Sequence, residues 1–172
     1  AYARAAEQMR LMIEMLPGVL IEQLSLGKSA INENRSSDAI RHYSLALLLQ
    51  ESGFEGLDAL ELQQSPEIGL RRAQVIDEVV ELTKSARQLY RSKQFESAAA
   101  AFGEALALDG YSDEARKGLL DTEVAIKEDE FASIMSEGYR LLEAGESSQA
   151  IEKFRMAGEL GINANEAKIA VV

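Results

Sequence analysis

Lys84, Arg87 and Arg91 fall at i, i+3 and i+7, the spacing that sets three side chains in one stripe along a helix. The chain carries 29 acidic against 18 basic residues and a formal net charge of −11, so a cationic stripe is conspicuous. Its chemistry is the grip of a carboxylate or an acidic peptide, with both guanidiniums able to bind in bidentate fashion. The competing reading is that these cations pair with neighbouring acids such as Glu78 and Glu81, or merely solvate the helix.

Catalytic constellations are not found. His42 is the only histidine. A general base needs an orienting partner and a target, and its position suits an exposed or half-buried helical side chain better. No His-x-x-x-His or Glu-x-x-His pair exists, and Asp109-Gly110-Tyr111-Ser112-Asp113 has too few ligands before its glycine for a calcium loop. The run Lys127-Glu128-Asp129-Glu130 would splay its carboxylates around a helix, so solvation accounts for it. Phosphate-cradling glycine loops and the Gly-x-Ser-x-Gly elbow are missing. The expectation is a non-catalytic segment with no cofactor and no metal.

The elements that position the stripe must be helices. Of 172 residues 47% are hydrophobic, but only 2 are proline, 12 glycine and 6% aromatic, too little punctuation for a sheet-rich fold. An isoelectric point near 4.6 disfavours nucleic acid as a partner. Cysteine is absent, so disulfides and thiolate chemistry are excluded. No apolar run approaches the roughly 20 residues that span a bilayer, so no membrane insertion by this segment is expected. Both ends read as periodic helix, which suggests an excerpt of a longer protein. The compartment stays open between the cytoplasm and a bacterial periplasm or envelope; the alanine-rich style suggests a bacterial source.

Three segments repeat one pattern. Gly27, Ala30, Ala39, Tyr43 and Ala46 are matched by Ala86, Leu89, Ala98, Phe102 and Ala105, and by Gly138, Leu141, Ala150, Phe154 and Ala157, at identical offsets. Small residues let two antiparallel helices approach while the aromatic fills the wider gap. The polar stretches 34–38, 92–96 and 144–148 supply the turns. The repeats cover about 20–53, 79–112 and 131–164 of a single helical domain spanning 1–172, with extra helical segments at 2–16, 66–78, 113–130 and 165–172.

Ser112 should cap a helix that runs from Asp113 through Arg140 as one rod, interrupted only by Gly118 and Gly138. Pro66, preceded by Ser65, should open a helix ending near Ser92. Separate helices with a bend between them are the alternative. Pro17-Gly18 is expected to break or kink the first extension, whose Met9, Met12, Ile13 and Leu16 share one face. Phe54, Leu57, Leu60 and Leu62 are expected to tuck against the first hairpin.

This spacing resembles the tetratricopeptide repeat. Departures are Gln23, Leu82 and Ile134 where the family has tryptophan, and Glu51, Gly110 and Ile162 where it has a closing proline. The aligned Ala39, Ala98 and Ala150 lie 59 and 52 residues apart, against the family's 34. The resemblance implies an all-α, helical-hairpin solenoid with elongated helices, whose first helices line a concave groove that docks a peptide or partner helix. Carried over, the groove wall comprises Leu24, Lys28, Ile31 and Asn32, then Thr83, Lys84, Arg87, Tyr90 and Arg91, then Met135, Tyr139, Leu142 and Glu143. Lys28, Asn32, Arg87 and Arg91 are loosely similar to the clamp with which some relatives hold a C-terminal carboxylate. Tyr90 and Tyr139 would add apolar contact. The expected partner is a protein or peptide, acidic or presenting a C-terminal carboxylate. A second copy of the chain, in a spacer or self-association role, is the alternative.

Overall fold

The computed structural model of the chain describes residues 2–53, 65–162 and 170. Among these, every regular element is an α-helix: α1 (Tyr2–Asn32), α2 (Ser36–Glu51), α3 (Pro66–Arg91), α4 (Phe95–Leu108), α5 (Asp113–Glu143) and α6 (Ser147–Glu159). The protein is all-α, as the composition predicts. The expected tuck of Phe54, Leu57, Leu60 and Leu62 lies outside the described residues, as does the segment 165–172 apart from Ala170.

Three turns are built alike. Asn34, Lys93 and Gly145 take positive φ values of 56°, 59° and 81°. Each donates its N–H to a carbonyl three residues back, on Ile31, Tyr90 and Leu142, at 3.0 to 3.1 Å. The next residues, Arg35, Gln94 and Glu146, donate to Ala30, Leu89 and Leu141 at 2.8 to 3.0 Å. This is the paired closure that satisfies the last carbonyls of a helix. The same three residues then accept from the N–H of Ala39, Ala98 and Ala150, so one residue closes a helix and opens the next. The turns therefore recur at the intervals of the small-residue pattern. Only the third uses glycine, which explains why turn composition alone conceals their identity.

By its internal contacts the chain divides into two compact units, Ala1–Leu82 with Ala105–Tyr111, and Thr83–Glu104 with Ser112–Val172. In the first, α1 and α2 form a hairpin. Ala30, Ile31, Ala39 and Tyr43 of that hairpin form one core with Ala73 and Ile76 of α3. Tyr43 is fully buried between two glycines. A methyl on Gly27 would lie 2.8 Å from its Cε2, and one on Gly69 would press still closer to its Cε1. The ring is thus clamped by backbone on both edges, a contact that any side chain would abolish.

α1 runs through Pro17 for 31 residues, so of the expected break or kink it does not make the break. An interior proline costs about 3 kcal/mol in a helix. Leu16, Leu20 and Leu24 straddle it and pack with Ala46 and Leu49 of α2; Leu20 is fully buried, worth about 1.5–3 kcal/mol, and Leu16 and Leu24 are half-buried. Packing on both sides offsets the lost hydrogen bond.

In the second unit α5 is one rod of 31 residues, about 46 Å long. Ser112 Oγ caps it by accepting from Ala115 N–H at 3.3 Å. Phe131, Met135 and Leu141 of α5 enclose Ala150, Phe154 and Ala157 of α6, with Ala170 packed against the same cluster. α3 begins at Pro66 as predicted: the Ser65 carbonyl accepts from Gly69 N–H at 3.1 Å, and its hydroxyl donates to the Glu67 carboxylate. Gly138 abuts the Phe154 ring as Gly27 abuts Tyr43, and Gly118 abuts Phe102 as Gly69 abuts Tyr43. Gly118 and Gly138 are therefore seats for aromatic rings, with the helix continuous through both.

Candidate functional site

Of the predicted wall residues, Arg87, Tyr90 and Arg91 line one cleft. They stand on the last two turns of α3 and line a cleft of about 360 Å³ with Phe102 of α4 and Glu114, Lys117, Gly118 and Asp121 of α5. The cleft exists because of the aromatic contact below it. Phe102 lies against the backbone at Gly118, whose missing side chain leaves a shallow floor. Tyr90 is held by an edge-on contact with Phe95, ring centroids 5.4 Å apart, which fixes one wall.

The cleft's charges are uneven in commitment. Arg87 Nη2 meets Glu114 Oε1 at 2.5 Å, both side chains about half exposed. Arg87 thus pairs across to α5. Arg91 and Lys117 make no ion pair among the described residues. Three cations and two carboxylates leave an excess of one positive charge in a strongly acidic chain. An arginine already holding one carboxylate at a solvated surface can exchange it for another at small net cost.

Glu114, Lys117 and Asp121 escaped the sequence reading, although their i, i+3, i+7 spacing mirrors the stripe on α3. The signal was present, but it pointed to the cleft only once Gly118 was known to receive Phe102.

Other expected residues lie elsewhere. Lys84 is exposed on α3, has a partner of its own, and does not line the cleft. Lys28 and Asn32 are exposed on α1, in the first unit. Tyr139 is 45% exposed and tilts against Phe154 at 5.0 Å, beside a separate concavity that includes Met135 and Glu143. The wall assignments Ile31 and Thr83 fall in the core, at 4% and 3% exposure, and Met135, at 4%, reaches its concavity only from a buried position. The buried stripe of these helices is wider than the small-residue seam, and it takes in positions assigned to a groove. Thr83 Oγ1 even lacks a hydrogen-bond partner among the described residues.

His42 is half-buried, with Nδ1 2.7 Å from Gln23 Oε1. With the amide oxygen accepting, Nδ1 carries the proton and the pair ties α2 to α1.

A buried arginine–carboxylate pair has no signal in the sequence. Arg72 Nε lies 3.0 and 3.1 Å from the two carboxylate oxygens of Asp109, whose side chain is 1% exposed. Tyr111 N–H donates to Asp109 Oδ1 at 3.0 Å, and the Arg72 guanidinium sits 5.3 Å from the Tyr111 ring centroid. Asp109 thus locks the segment after α4 to α3 within the first unit.

Three exposed carboxyls, on Glu33, Glu67 and Glu137, are held below their ordinary value. The Lys153 ammonium, 2.9 Å from Glu137, holds that carboxyl below the ordinary 4.5. Hydrogen bonds from Ser29 and Arg35 lower Glu33, and one from Ser65 lowers Glu67. No group of three or more acidic or histidine side chains suited to a metal ion occurs among the described residues. Comparison of the chain with protein families, with curated proteins and with solved structures finds no match.

Proposed function

We propose that this chain is a non-catalytic interaction module of tetratricopeptide type, which holds an acidic segment of a partner protein in the cleft of its second unit. One observation carries the reading: Arg87, Arg91 and Lys117 gather around an apolar floor of Phe102 and Gly118, in a chain otherwise dominated by carboxylates. Convergent cations grip acidic side chains or a terminal carboxylate, while Tyr90 and the floor take an adjacent apolar side chain. The three matched turns support the repeat reading, because a hairpin closed in the same way three times is one unit reused.

The test is fluorescence anisotropy with a labelled peptide of alternating glutamate and leucine, compared with its lysine-for-glutamate counterpart. The acidic peptide should bind, weaken as salt rises, and lose at least about tenfold in affinity in Arg87→Glu/Arg91→Glu, about 1.4 kcal/mol. Equal binding of both peptides, or an unaffected double variant, would sink the proposal.

A further inference from the structure

The first half of α1 carries an apolar seam that nothing among the described residues covers. Tyr2, Met9, Met12 and Met15 are 65–93% exposed, although the same stripe, continued through Leu16 and Leu20, is the one α1 packs against α2. From Tyr2 to Leu16 the stripe follows a heptad: Tyr2, Met9 and Leu16 at one core position, Ala5 and Met12 at the other. The positions flanking it are Ala6, Ile13, Gln8 and Met15, none of them charged. Every charge in the segment lies on the far side, where Arg10 bonds Glu7 at 2.9 Å and Glu14 at 3.3 Å.

We infer that this seam is a self-association surface, on which the α1 of a second copy lies antiparallel. Flanking charges are what a coiled coil uses to choose a different partner, and here there are none. Two copies of a chain with net charge −11 repel each other over most of their surface. This seam is a place where they can meet without opposing like charges. The antiparallel direction follows from the seam's occupancy beyond Leu16, where Leu49 of α2 packs alongside Leu20. In antiparallel register Met9 faces Met12 of the other copy, and the small Ala5 faces the part of its Leu16 that α2 leaves exposed. A parallel pair would crowd both α2 ends together. Nucleation is already met, since the rest of α1 is folded on α2. The seam is only about 22 Å long, so the dimer is weak and concentration-dependent. This surface is independent of the cationic cleft.

The test exploits the absence of cysteine. In the full chain, Met9→Cys mixed with Met12→Cys should form disulfide-linked heterodimers faster than either does alone, and Glu7→Cys or Glu14→Cys should form few. Sedimentation of the unmodified chain should show a monomer–dimer equilibrium that Met9→Glu/Met12→Glu abolishes with helicity retained by circular dichroism. A monomer at every concentration, a dimer untouched by the charged pair, or equal cross-linking at Glu7 and Glu14 would overturn the inference. Loss of the seam should leave acidic-peptide binding intact, which separates its failure from that of the cleft.

Discussion

Two of the molecule's arginine–carboxylate pairs have opposite consequences. Arg72 and Asp109 meet with the carboxylate 1% exposed, a backbone N–H as second donor and a tyrosine ring beside the guanidinium. Arg87 and Glu114 meet with both side chains about half exposed, beside two cations that make no ion pair among the described residues. Burial decides the difference. A desolvated carboxylate has no alternative partner, so the first pair is a fastener. A solvated one exchanges with water and with other carboxylates, so the second is available to a ligand.

The sharpest way to break this contrast is to remove one member of the buried pair. Asp109→Ala should destabilise the protein by about 3–5 kcal/mol, because Arg72 and Tyr111 N–H are left without their acceptor. Chemical denaturation reads this directly. Arg72→Met combined with Asp109→Leu should recover much of the loss, since an apolar replacement strands no charge. If Asp109→Ala costs less than about 1 kcal/mol, the pair is no fastener and the contrast collapses.

A smaller effect is expected at the exposed pair. Glu114→Gln should change stability by no more than about 1 kcal/mol. It removes the carboxylate that occupies Arg87 and raises the cleft's positive excess, so the acidic peptide should bind severalfold tighter by anisotropy. Weaker binding would mean that Glu114 orients Arg87 for the ligand, and exchange would then be the wrong description of the cleft.

These two sites were unequally legible in the sequence. Arg87 and Arg91 announce themselves because helical periodicity turns a spacing of four into a shared face. Arg72 and Asp109 are 37 residues apart and obey no period; only the fold brings them together. The same distinction governs the hairpins. Gly27, Ala86 and Gly138 are visible because the pattern repeats at fixed offsets. Gly69 and Gly118 are the matching seats on the following helix, but connections of different length precede them, and the offset from their aromatic partners changes from 26 to 16. An alignment at fixed spacing cannot find them. Ile31 and Thr83 differ from their expected placement for a third reason: helical periodicity assigns a face, but not how far around the helix burial extends.

Lys153 and Glu137 supply the intermediate case, joining α6 to α5 at 2.9 Å with side chains 31% and 45% exposed. The smallest expected effect lies here, and it is one of pH. Bonding to Lys153 keeps the folded Glu137 carboxyl below its ordinary 4.5. A carboxyl lowered on folding adds stability above its unfolded value and surrenders it as pH falls through the folded one. Between neutral pH and about pH 5 the contribution should therefore be constant, and below about 4.5 it should fade. Thermal unfolding followed from pH 7 to pH 3 should show a shallower acid decline in Glu137→Gln than in the parent chain. Glu33 and Glu67 are lowered in the same sense, so part of the decline must survive that substitution. If Glu137→Gln removed the whole of it, the exposed pairs could not be treated as independent, and partial exposure would have to confer more than a surface ion pair normally does.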